Sequence, residues 1–278
     1  MKRIGKEILE KLNKEEIDSD NYEHFSISSI IEQLKPEFDQ VKVATKTHAK
    51  YFNDETSKYY RKSVDEILEM WKKKGQVSTS NGSMLDDYIG LILEGESTNL
   101  WEMDNLYENE LLKNKCYAAK NVIDSLESNG FGYIAREIPV FVDIDVDGVK
   151  CRVHGRFDAL FGLPYGEDLV LYLIDWKNSS DITFQNSYQK MIGPCKKYDN
   201  ANGNAYKIQV EIYKYAFVHN YGITNQIKLN IVQFPDEGSK ILAMKEEDSL
   251  EEIEEMIRFA IKKIRLKREI TKKLKEKN

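Results

Sequence analysis

The chain has 278 residues, 41% hydrophobic and 32% charged, with 41 Lys and Arg against 47 Asp and Glu for a net charge of -6. Those totals exclude a disordered chain, and no run of about 18 apolar residues is available to span a bilayer, so no membrane partner is expected. The negative balance also disfavours a protein that coats nucleic acid by bulk charge, which leaves local patches for contact with a polyanion.

The opening MKRIGKEILEKLNKEE has no apolar secretory segment and carries glutamates foreign to a transit peptide, which implies a cytoplasmic setting. Its Ile4, Ile8 and Leu12 fall at helical spacing. Basic residues then cluster in KVATKTHAK, KYYRK and WKKKG, and tyrosines mix with lysines in KYFNDETSKYYRK. That mixture suits either base stacking with phosphate contact on a single strand or a helix that packs tyrosines into a core. Ser63-Val64-Asp65-Glu66 is a capping-box pattern that opens a helix expected to stop at Gly75. NGSMLDDYIGLILEG makes another helix, and a longer one is predicted from about Asn105 to Ser128, closing at Asn129-Gly130.

After Gly130 the pattern changes to strands. Asp147-Gly148 between two β-rich runs signals a hairpin, and the continuous apolar run LVLYLIDWK reads as a central strand covered on both faces. A loop rich in Asn and Gly follows, then the helix YKIQVEIYKYAFVHN, the strand IKLNIVQF, and a helix from about Ser249, acidic at its start and basic at its end. The three cysteines, Cys116, Cys151 and Cys195, form no C-x-x-C pair and read as buried thiols. The expected architecture is an α/β core with a mixed central sheet flanked by helices: a helical N-terminal region over 1–130, the core over 131–245, and a charged C-terminal helix over 246–278.

Burying an unpaired charge costs several kcal/mol, so an apolar strand that ends in Asp175 and Lys177 has to use them. Alternation puts both on one strand face, about 6.6 to 6.8 Å apart along the chain, with Trp176 pointing the other way. In the preceding run Arg152, His154, Arg156 and Asp158 share a face opposite Val153 and Phe157. If the two strands are neighbours, Asp158 and Asp175 converge as hard oxygen ligands for Mg²⁺ or Mn²⁺. Lys177 beside them can position or activate an attacking water and neutralise charge growing on phosphorus.

Asp158, the Asp175-Trp176-Lys177 triplet and the downstream Gln209-Val-Glu-Ile-Tyr213 resemble the PD-(D/E)XK nuclease superfamily, specifically its RecB-like branch. That branch includes recombination nucleases, CRISPR-associated nucleases and mitochondrial genome maintenance exonucleases. The resemblance implies a restriction-endonuclease-like core and a Mg²⁺- or Mn²⁺-dependent deoxyribonuclease, with exonuclease action on DNA ends or single strands as the first expectation, in the context of recombination and repair. Carried over by position, it implies that Asp158, Asp175 and the Trp176 backbone carbonyl ligate metal and that Lys177 is the catalytic lysine. Glu137 becomes an acid that binds metal through water or orients the site. Gln209 and Tyr213, at i and i+4 of one helix face, would contact substrate phosphate or hold Lys177.

One part of the pattern departs from the family. Its G-T-x-x-H-x-x-x-E motif corresponds to Gly82 through Gly90, with Asp86 at the histidine position and Gly90 at the glutamate position. Asp86 remains a possible ligand for a hard cation, and His48 of Thr45-Lys-Thr-His48 is a second, more distant candidate. His154, on the polar strand face, is a candidate for substrate contact. A rival reading is a nuclease fold that binds DNA without turnover. A carboxylate-pair glycosidase ranks last, because Lys177 beside Asp175 would keep that acid ionised. The basic C-terminal helix is expected to touch DNA or a protein partner, and deleting the chain after about Lys262 is expected to weaken DNA binding.

Overall fold

The computed structural model describes residues 2–13, 21–245 and 248–276, the side chains of residues 2–4 excepted. Ile4 and the expected boundary near 245–246 therefore lie wholly or partly outside the described residues. Two sheets organise the molecule. The smaller has the order β1 (Glu23–Ser26), β4 (Val149–Arg156), β3 (Pro139–Val146), with β1 parallel to β4. The larger runs β2 (Gly132–Arg136), β5 (Ala159–Tyr165), β6 (Asp168–Lys177), β7 (Ile227–Gln233), β8 (Lys240–Ala243), with β6 and β7 parallel and the other pairs antiparallel. The chain crosses from one sheet to the other at Phe157-Asp158.

β6 is central, and its apolar run reflects cover on both faces. On one face Leu171 and Leu173 pack with α7 (Asn202–His219) and α8 (Leu250–Lys275); on the other, Ile174 and Trp176 pack with α4 (Val64–Leu93) and α6 (Glu110–Ser128). The helices α1 (Lys2–Leu12) and α2 (Ile27–Gln33) join the first layer, burying Ile8, Leu12, Ile30 and Ile31. Asp147 and Gly148 both have positive φ, 56° and 79°, as a two-residue hairpin turn requires. All three cysteines are free and buried. Among the described residues no helix is long and apolar enough to cross a membrane.

The strands β2 and β8 lie outside the runs that the sequence marks as strands, and three elements of the helical region differ from expectation. The four-residue β1 lies within the region expected to be helical, held by its register against β4. The helix capped at Ser63 does not stop at Gly75 but continues to Leu93 as one 30-residue α4. Gly75 lacks the left-handed backbone that ends a helix, and its cost of about 1 kcal/mol is offset by the capping box at one end and burial of Leu85, Tyr88, Ile89 and Leu93 at the other. The predicted helix from Asn105 is divided into α5 (Asn99–Leu106) and α6, because the Asn109 side chain accepts from the Leu112 N–H and caps a new start.

Candidate functional site

β5 and β6 are antiparallel neighbours with Ala159 opposite Ile174, which brings Asp158 to the end of β6. The Trp176 N–H donates to Asp158 Oδ2 at 2.7 Å. Asp175 is fully buried, and Lys177 Nζ lies 2.7 Å from its Oδ2. Despite that ion pair, neither Asp175 oxygen receives a well-directed hydrogen bond. Trp176 points to the opposite layer, its ring centroid 6.0 Å from that of Phe234. Two carboxylates thus face one ammonium at the rim of the sheet.

The electrostatics follow from that count. Burial, then the Asp175 charge, push the Asp158 carboxyl well above the usual range, with Lys177 and the Trp176 N–H opposing. Burial also raises Asp175, against the pull of Lys177. For Lys177 burial works against the charge, but Asp175 and Asp158 outweigh it and hold the ammonium above its ordinary range. A site with surplus buried acid and carboxylate oxygens lacking donors suits a divalent cation, whose binding displaces protons from its ligands. Among the described residues no group of three or more His, Cys, Asp and Glu side chains is placed to hold a metal. A pair of carboxylates is still what Mg²⁺ commonly takes from a protein, with water and substrate oxygens completing the shell.

The remaining predicted residues divide into two groups. Gln209 Nε2 donates to the Tyr213 hydroxyl at 3.2 Å, which donates to the Arg156 carbonyl at 2.6 Å. That chain ties α7 to β4, and burial pushes the Tyr213 hydroxyl up to about 12, so it stays protonated, accepting from Gln209 while it donates to Arg156. Gln209, Tyr213 and the exposed His154 line one cleft of about 860 Å³ between α7, the β3–β4 hairpin and the α1 and α2 segments. Glu137, expected to begin a strand, instead occupies the corner between β2 and β3 with a φ of 53°, a conformation unfavourable to a non-glycine residue. Its carboxylate pairs with Arg156 at 3.1 Å. Asp86 pairs with Arg136 at 3.1 Å, and its charge is felt at Asp158. Burial raises the Asp86 carboxyl, while Arg136 opposes.

Of the strand face expected to carry Arg152, His154, Arg156 and Asp158, Arg152 is buried against the Asp143 carboxylate at 2.7 Å. Alternation also lapses at the crossing between sheets, where Asp158 sits outside both strands. His48 donates from Nδ1 to the Lys62 carbonyl at 2.8 Å and packs on Phe52. Two neighbours escaped the sequence reading. Tyr206 places its ring centroid 4.9 Å from Lys177 Nζ and also lines the cleft, so it links the cleft to the lysine of the acid pair. Lys115 is buried and donates to Asn178 Oδ1 at 2.7 Å, fixing the residue after the lysine. Tyr206 stands one helical turn before the Gln209-Tyr213 pair, a spacing that offered a signal; Lys115 offered none.

The mixed sheet between two helical layers, with acids at the rim of its central strand, is of the restriction-endonuclease-like α/β class. Among solved structures, the crystal structure of a protein from Eubacterium rectale that bears the name "Putative exonuclease" is 14% identical, covering 90% of this chain and 85% of its own, with a TM-score of 0.43. The crystal structure of SSO0001 is 12% identical, covering 95% of this chain and 85% of its own, with a TM-score of 0.36. No protein-family model and no curated protein matches the chain.

Proposed function

We propose that this protein is a metal-dependent deoxyribonuclease acting on DNA ends or single strands. The observation that carries the reading is the convergence of Asp158, Asp175 and Lys177 at one sheet rim, with the Asp175 oxygens lacking directed donors. Asp158 and Asp175 would hold Mg²⁺ or Mn²⁺, which polarises a phosphoryl oxygen and lowers the pKa of bound water when present. Lys177 supplies a fixed positive charge where negative charge grows during in-line displacement. Tyr206, Gln209 and His154 line the adjoining cleft, where a nucleotide of the substrate can be seated. On the arm that precedes α4 and begins with α3 (Gln40–Tyr51), Lys50, Lys58 and Arg61 lie 4.8, 5.1 and 5.0 Å from the ring centroids of Tyr51, Tyr59 and Tyr60. Those rings are half-buried rather than part of the core, which leaves faces for stacking on bases.

The test is cleavage of single-stranded and duplex DNA, labelled at either end, with Mg²⁺, Mn²⁺ or chelator. Cutting in metal and none in chelator is the expected result, with the product ladder giving polarity. Binding without cutting in either metal would replace this reading with a DNA-binding protein that lacks turnover.

The C-terminal helix supports a more exact truncation than the sequence suggested. Arg265 donates to the Val146 carbonyl at 2.9 Å and pairs with Glu23, Lys267 pairs with Glu37 at 3.0 Å, and Arg268 lies 5.1 Å from the Phe25 ring centroid. Deletion after Lys262 would remove those ties to the fold, so the informative cut is after Arg268. It removes four lysines, Lys272, Lys273, Lys275 and Lys277. DNA affinity is expected to fall about three- to tenfold at low salt, the difference shrinking as salt rises. Equal affinity at every salt concentration would take the tail out of DNA contact.

A further inference from the structure

Gly90 lies buried in α4, in ordinary helical backbone, where glycine costs about 1 kcal/mol relative to alanine without a conformational return. What it provides is room. A Cβ at position 90 would stand 1.8 Å from Arg136 Nη1 and 2.5 Å from its Cζ, so the guanidinium rests directly over the Gly90 backbone. Arg136 closes β2, and its Nη2 and Nη1 donate to Asp86 at 3.1 Å and Glu94 at 3.4 Å. Asp86, Gly90 and Glu94 are four apart on one stripe of α4, and Arg136 clamps both acids across the glycine.

The charges around the rim are partitioned accordingly. Asp86 has Arg136, and Glu137 has Arg156. Asp158 and Asp175, at the end of the central strand, share a single cation, Lys177. We propose that Arg136 is a positioning residue that neutralises Asp86, fills the space over Gly90, and so restricts the acidic centre to one divalent cation, held by Asp158 and Asp175. The proposal rests on the metal-dependent nuclease reading. It converts the departures at positions 86 and 90 into one arrangement, in which glycine admits the arginine and the arginine occupies the aspartate.

The experiment is Mn²⁺ binding to the full chain, by calorimetry with the bound ion counted by paramagnetic resonance, and with circular dichroism to confirm folding. The wild type is expected to bind one Mn²⁺, lost in Asp175→Asn. Arg136→Gln is expected to tighten Mn²⁺ binding about tenfold or add a second ion, because an unneutralised acid is left beside the site. Arg136→Lys, which keeps the charge, should return toward wild type. Gly90→Ala should follow Arg136→Gln, since its methyl displaces the guanidinium. Asp86→Asn, a half-exposed position that leaves the core intact, should keep one Mn²⁺ within about threefold of the wild-type affinity. Two ions in the wild type, loss of the ion in Asp86→Asn, or unchanged or weaker binding in folded Arg136→Gln and Gly90→Ala would each overturn the proposal. One wild-type ion with unresponsive variants defeats this inference alone; no ion at all defeats the metal-dependent reading with it.

Discussion

Replacing Lys177 with alanine is expected to lower the rate of DNA cleavage by about a hundredfold to a thousandfold, the cost of removing a preorganised donor from developing charge, while DNA affinity changes by less than about tenfold. The separation follows from where the lysine sits. Its side chain is only 18% exposed, paired to Asp175 and facing Tyr206, so it contributes little to a DNA surface but much to any group held at the acid pair. The substitution also leaves two buried carboxylates without their cation. Removing one partner of a buried pair costs about 3–5 kcal/mol when the other charge stays ionised, so Asp175 is expected to respond by holding a proton. Raising the Mn²⁺ concentration should therefore restore the fold's heat stability in Lys177→Ala without restoring the rate. Single-turnover cleavage at saturating DNA reads the chemical step directly, and a rate within tenfold of wild type would remove Lys177 from catalysis.

The parts of this site legible in the sequence are those governed by local periodicity. Alternation placed Asp175 and Lys177 together and sent Trp176 to the other layer, and the unbroken apolar run identified β6 as central. Asp147-Gly148 and the Ser63 capping box were likewise readable, because each satisfies its own backbone. What escaped depends on distant contacts. Nothing near Arg136 announces that it will lie over a glycine 46 positions earlier, and Gly90 by itself reads as a weak point in a helix. The strand alternation that grouped Arg152 with Asp158 lapsed for a similar reason: the chain changes sheets at Phe157-Asp158, a choice set by what packs on each sheet. The strand β1 is too short for its period to show, and its partner β4 lies more than a hundred residues away. Gly75 was misread in the opposite direction, as punctuation, when caps and packing at the two ends of α4 decide its length.

The acid pair carries a further consequence, opposite in sign for stability and for activity. Asp158→Asn is expected to abolish metal-dependent cleavage and to raise the melting temperature of the metal-free protein by a few degrees at pH 7 to 8, roughly 1–2 kcal/mol for a chain of this size. The amide is nearly isosteric, and its carbonyl oxygen can keep accepting from the Trp176 N–H. Its NH₂ can donate toward Asp175, whose oxygens lack directed donors. Because burial and the Asp175 charge raise the Asp158 carboxyl above its unfolded value, the folded wild type binds a proton that the unfolded chain releases. Wild-type stability from this group is thus fully present below the ordinary carboxylate value near ~4 and is lost as pH rises through the raised folded value. The advantage of the variant must follow the same window: largest at neutral pH and above, and fading as the medium is acidified toward ~4. Added Mn²⁺ should reverse the order, since it binds the folded wild type more tightly than the variant and stabilises by mass action. Calorimetric melts from pH 4 to 8, with chelator and with Mn²⁺, measure all of this. A variant less stable than wild type in chelator at neutral pH would show that Asp158 is held for the fold rather than against it, and that its buried charge is not the strained element of a catalytic site.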